Sequence, residues 1–142
     1  MFLAVDWQSR ALIRAQLIEE GFEVIATDSW MQTRRHLRPG SKPRVAIVDL
    51  KDLPDPLSVL DDLSVLMKRE RVLVLSAIGT TPTSEIERLG FRMIRRPFPI
   101  EDVVRAVRAM WRSRDGTRDG TRDGTRDGTR DGTRDGTRDG TP

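Results

Sequence analysis

Apolar positions along the chain gather into five short runs, and the stretches between them repeat apolar residues at helical spacing. Phe2 to Val5, Glu23 to Thr27, Arg44 to Leu50, Arg71 to Ala77 and Arg92 to Arg95 are the runs. The third and fourth, Arg44-Val-Ala-Ile-Val-Asp-Leu50 and Arg71-Val-Leu-Val-Leu-Ser-Ala77, show no polar–apolar alternation. Runs of that length and kind suit strands buried on both faces, as in a parallel sheet.

The intervening stretches carry helix signals. Ser9 is placed to cap a helix from about Arg10 to Glu20, with Leu12, Ile13, Leu17 and Ile18 toward the core and Gly21 as its stop. Ser29-Trp-Met-Gln32 has capping-box spacing and opens a helix to about Leu37. Leu57 to Met67 reads as a third helix, with Leu60, Leu63, Val65 and Leu66 as its apolar content. Pro82 suits the first position of a fourth, which Gly90 ends. Ile100 to Arg112 is the clearest helix: Ile100, Val103, Val104, Val107, Met110 and Trp111 recur at helical spacing, and Glu101 and Asp102 sit in its first turn. Strand then helix, repeated, predicts an α/β fold: a doubly wound, five-stranded parallel sheet with right-handed crossovers.

Composition changes the picture at the C-terminus. From Arg114 the tetrapeptide Arg-Asp-Gly-Thr repeats seven times, and Pro142 follows. This segment has no apolar residue to offset ordering entropy, so residues 114–142 are expected to be a disordered tail and residues 1–113 the folded domain. The tail's arginines and aspartates cancel, so the domain carries the net charge of +3. That is weak evidence for a nucleic-acid partner. The absence of cysteine excludes disulfides, thiolate metal sites and a cysteine nucleophile. No apolar run approaches membrane-spanning length and no basic leader precedes Phe2, so a cytoplasmic protein without a membrane partner is expected.

Three polar side chains fall at strand ends. Asp6 follows the first run, Asp49 closes the third and Ser76 closes the fourth. The carboxyl edge of an open parallel sheet is where such folds place ligands. Val5-Asp6, Gly21-Phe-Glu-Val24, Val48-Asp49 with Pro54 beyond it, Leu75-Ser76-Ala77 and Arg96-Pro97-Phe98 stand at matching positions of a known pattern. On these residues, the chain over about 1–112 resembles a degenerate receiver domain of the two-component response regulators (CheY-like, flavodoxin-like fold). The resemblance implies Asp49 as phosphoacceptor, Asp6 and Asp49 as ligands of a weakened magnesium site, Ser76 as the phosphoryl-contacting hydroxyl, and Arg96 at the position of a phosphoryl-contacting lysine before a proline that is usually cis. It also implies a phosphorelay role, a histidine kinase or phosphotransfer protein as donor, a downstream protein target and a homodimer through the last strands and helices.

The sequence departs from that pattern at several positions. Trp7 stands where a second carboxylate is usual, and the stretch before the first helix is about two residues short. An ungapped alignment from Gly21 puts Ala4 and Val5 at the acidic positions. Arg96 replaces the lysine; its planar fork differs from an ammonium in reach and shape. The loop from Asp49 to Pro54 is one residue longer than usual, and Met93 and Ile94 precede Arg96 where an aromatic switch residue is common.

A single-domain signalling protein phosphorylated at Asp49 is therefore the first expectation. The alternative is a pseudo-receiver: a phosphate-independent interaction module with Asp49 and Arg96 paired in one state. Neither is an enzyme. A nucleotide- or flavin-binding enzyme of similar fold is disfavoured because Asp6-Trp-Gln-Ser9 lacks the glycines of a phosphate loop. The basic cluster Arg34, Arg35, His36 and Arg38 reads as a solvated helix face, and no helix-turn-helix or zinc-finger pattern accompanies it.

Overall fold

In a computed structural model of the chain, residues 1–126 are described except 78, 80 and 81; for residues 114–126 the description is of the backbone. The elements run β1 (Phe2–Leu3), α1 (Trp7–Glu19), β2 (Ala26–Thr27), α2 (Trp30–Arg35), β3 (Ala46–Asp49), α3 (Pro56–Leu66), a 3-10 turn (Arg69–Arg71), β4 (Val72–Leu75), α4 (Thr83–Leu89), β5 (Arg92–Ile94) and α5 (Ile100–Arg126). The five strands form one parallel sheet in the order β2-β1-β3-β4-β5. This is the doubly wound, flavodoxin-like arrangement that the strand–helix alternation predicts. Chain direction across the sheet reverses between β1 and β3, so the crevice between their carboxyl ends is the topological switch point.

The β3 and β4 runs are buried at every strand position, as their unbroken apolar character requires. Their register sets Ala46 beside Val72 and Asp49 beside Leu75, and Leu75 in turn lies beside Ile94 of β5. Leu3, Val48, Leu60, Leu63, Val72, Val74 and Ile86 belong to one buried cluster formed by the sheet and the helices over it. On α5, Val103, Val104, Val107 and Met110 are buried, as their spacing predicts.

Several local expectations give way. The cap of α1 is Asp6, not Ser9: the Asp6 carboxylate accepts the Ser9 N–H at 3.0 Å, and the helix begins three residues earlier. A carboxylate at N-cap also meets the positive end of the helix dipole. On α1, Ile13 and Leu17 are buried but Leu12 is 61% exposed and Ile18 also faces outward. Starting the helix at Trp7 does not change its period; only one narrow stripe meets the sheet. Val65 of α3 is likewise exposed, and Val59 takes its place inside. Pro82 is the N-cap of α4 rather than its first residue. Gly21 and Gly90 do terminate helices with positive φ, +97° and +83°.

Residues Met1–Met110 make one compact unit, and a second begins at Trp111. Within the second, α5 stays helical to Arg126, through three of the tetrapeptide repeats. Extending a helix already formed needs no new nucleus. The remainder of the expected disordered tail, 127–142, lies outside the described residues, as do Thr80 and Thr81 of the loop expected after β4.

Candidate functional site

Three of the strand-end residues converge because the register aligns their strands. Asp49 ends β3, Ser76 follows β4, and Arg96 follows β5 by two residues. Asp49 has no exposed surface. Both of its oxygens are taken. Oδ1 accepts from Arg96 Nη1 at 2.7 Å and from the Lys51 backbone N–H at 3.0 Å; Oδ2 accepts from Arg96 Nη2 at 2.6 Å. This is the two-pronged guanidinium–carboxylate pair, the strongest of the charged hydrogen-bond geometries. A lysine ammonium at the same place cannot make it, since it lacks the planar fork.

Arg96 is itself held from several sides. Its backbone N–H donates to Ser76 Oγ at 3.1 Å, and Nη1 also donates to the Ser76 carbonyl at 2.6 Å. The Arg96–Pro97 peptide is cis, and the guanidinium lies 5.2 Å from the centroid of the Phe98 ring. A cation over an aromatic face gains further attraction. Ser76 therefore serves as a bracket: its hydroxyl positions the Arg96 backbone and its carbonyl the side chain. Its own N–H donates to the Ile94 carbonyl at 2.9 Å, which fixes the end of β4 against β5.

Asp6 stands on the other side of the switch point. Its carboxyl lies below the ordinary 3.8, first because of its hydrogen bonding with Ser9 and then because of the nearby Lys51 charge. Lys51 Nζ is 3.5 Å from Asp6 Oδ2. The Arg10 guanidinium donates to the carbonyls of Ala4 at 2.7 Å and Val5 at 3.3 Å, locking the turn between β1 and α1. Trp7, at the usual place of a second carboxylate, is 65% exposed and Ala4 is fully buried.

Lys51 is the site residue that the strand pattern alone does not pick out. Its signal is its isolation: it is the one cation between Asp49 and Pro56, in a loop otherwise holding Asp52 and Asp55. Those two aspartates have φ of +60° and +49°, the left-handed region that aspartate tolerates better than most residues.

As it stands the donor set does not suit magnesium. That ion wants near-octahedral oxygen ligands, usually one or two carboxylates with water and phosphate. Both oxygens of Asp49 and one oxygen of Asp6 already face cations of the chain itself. Among the described residues, no three His, Cys, Asp or Glu side chains come together at a metal-binding separation.

No family model matches the sequence, and no curated protein does either. Solved structures do match. A response regulator receiver domain protein from Clostridium thermocellum superimposes with a TM-score of 0.68 at 18% identity, over 80% of this chain and 94% of that one. A CheY-like receiver domain protein from Methanospirillum hungatei gives 0.69 at 16%, over 82% and 94%. The receiver domain of NtrX from Brucella abortus gives 0.61 at 24%, over 75% and 96%. The chain has the receiver-domain fold. Identities this low carry the fold alone, and the receiver fold is the frame in which Asp49, Ser76 and Arg96 meet. Among the described residues, no helix of this receiver fold is long and apolar enough to cross a membrane.

Proposed function

We propose that this chain is a receiver-fold signalling module that acts by binding a partner protein, with the Asp49–Arg96 pair holding its site in one state without phosphate. The observation that carries this reading is the fully buried Asp49 with both oxygens in the Arg96 fork. An aspartate attacks phosphorus only when an oxygen can reach the phosphoryl group and the charge on both partners is offset, which magnesium does by bridging them. Here the offsetting charge is an arginine fixed on the nucleophile. The module catalyses no reaction of its own. It works in the cytoplasm, and its partner is a protein rather than nucleic acid or membrane.

A second reading has its own support. Asp49, Ser76 and Arg96 are brought together at the carboxyl edge, the set that the family pattern assigns to phosphoacceptor, hydroxyl and phosphoryl-contacting cation. In that reading a histidine kinase or phosphotransfer protein donates a phosphoryl group to Asp49, Arg96 swings from the carboxylate to the phosphoryl oxygens, and a homodimer or downstream protein then reads the change; Asp6 and Asp49 are the carboxylates that would hold a magnesium ion once their own cation partners had moved away.

Intact mass after incubation with magnesium and acetyl phosphate separates the two. The paired state predicts no gain under conditions that fully modify an ordinary receiver. A gain of one phosphoryl group, about 80 Da, that disappears in Asp49→Asn and on removal of magnesium, contradicts it.

A further inference from the structure

Lys51 touches both carboxylates of the site. Its backbone N–H donates to Asp49 Oδ1 at 3.0 Å, and its ammonium lies 3.5 Å from Asp6 Oδ2. A bridging divalent cation would make the same two connections, to the acid after β1 and the acid ending β3. We propose that Lys51 is a built-in counter-ion that ties Asp6 to Asp49 and keeps divalent cations out of the site. This deepens the paired-state reading and rests on it for its functional meaning.

The geometry gives the proposal three supports. The first is charge. With Lys51 on Asp6 and Arg96 on Asp49, each carboxylate already has a cation partner. An incoming magnesium ion would meet two positive groups already placed on those carboxylates, and like charges a few ångströms apart repel. The second is position. The Leu50 N–H donates to the Leu75 carbonyl at 2.9 Å, so the residue before Lys51 is still tied to the sheet and the Lys51 N–H cannot leave Asp49 freely. The third is the loop. Asp52, with φ of +60°, completes a turn that begins at Lys51, so the chain changes course directly beyond the lysine. Lys51 is a positioning residue, and its side chain is 44% exposed, so replacing it should leave the core intact.

The test is a magnesium titration of the full chain, followed by calorimetry and by tryptophan fluorescence, since Trp7 adjoins Asp6. The proteins are the unmodified chain, Lys51→Ala, Lys51→Arg and Lys51→Ala combined with Asp6→Asn. Lys51→Ala is expected to bind magnesium on the order of tenfold more tightly than the unmodified chain. Lys51→Arg, which keeps the charge, is expected to behave like the unmodified chain, and Asp6→Asn is expected to remove the gain. Equal affinity, or equal lack of binding, for the unmodified chain and Lys51→Ala overturns the proposal. So does a gain that survives Asp6→Asn. Acetyl phosphate labelling of the unmodified chain keeps the outcomes apart: labelling refutes the paired-state reading, whereas an unchanged magnesium affinity on loss of Lys51 refutes the counter-ion alone.

Discussion

At the scale of single residues, the site is governed by which cation each carboxylate has. Arginine at position 96 can hold both oxygens of Asp49 at once, at 2.7 and 2.6 Å, and the fork is steadied by Ser76 and Phe98. Asp6 is the simpler case. Hydrogen bonding with Ser9, through the Ser9 side chain and backbone N–H, lowers its carboxyl pKa. A group lowered on folding contributes stability above its ordinary value of 3.8 and loses it as the pH falls through the folded value. Thermal melts at pH 7 and pH 3 should therefore show that Asp6→Asn, whose amide does not titrate, loses less stability on acidification than the unmodified chain. Equal acid sensitivity in both would mean that Asp6 is not engaged as the cap.

At the scale of elements, α1 shows what the sequence can and cannot convey. Its period is clear, yet Leu12, Ile13, Leu17 and Ile18 are equally apolar, and only contact with the sheet selects Ile13 and Leu17. Leu17→Ala should cost about 3 kcal/mol in urea denaturation, because it opens a cavity in packed surroundings. Leu12→Ala should cost no more than about 0.5 kcal/mol. Comparable losses at both positions would place the helix differently. The β3 and β4 strands are the most legible elements, since an unbroken apolar run has few other homes in a domain of this size. The first helix start is less so. Ser9 and Asp6 are both good caps, and the choice between them depends on where β1 releases the chain. Asp49, Ser76 and Arg96 could be read from strand ends alone. Lys51 could not, because its role depends on a loop whose course is set by two aspartates in the left-handed region.

At the scale of the whole molecule, the Asp49–Arg96 pair joins the end of the third strand to the segment beyond the fifth, across the strand between them. Open parallel sheets place their ligands at this edge, and in this chain the edge is fastened by the protein's own side chains. A pair so placed belongs to the fold's stability as well as to its site. Asp49 is fully buried and the Arg96 side chain 17% exposed, so removing one partner leaves a charge with little water to receive it. The most direct measurement is a double-mutant cycle by urea denaturation, with Asp49→Ala, Arg96→Ala and the two together. Locked pairing predicts a coupling energy of about 2 kcal/mol or more, with the double variant more stable than the sum of the single losses implies. Additive losses, with coupling below about 0.5 kcal/mol, would show that the two residues do not act as a unit and that the site is not held shut by Arg96.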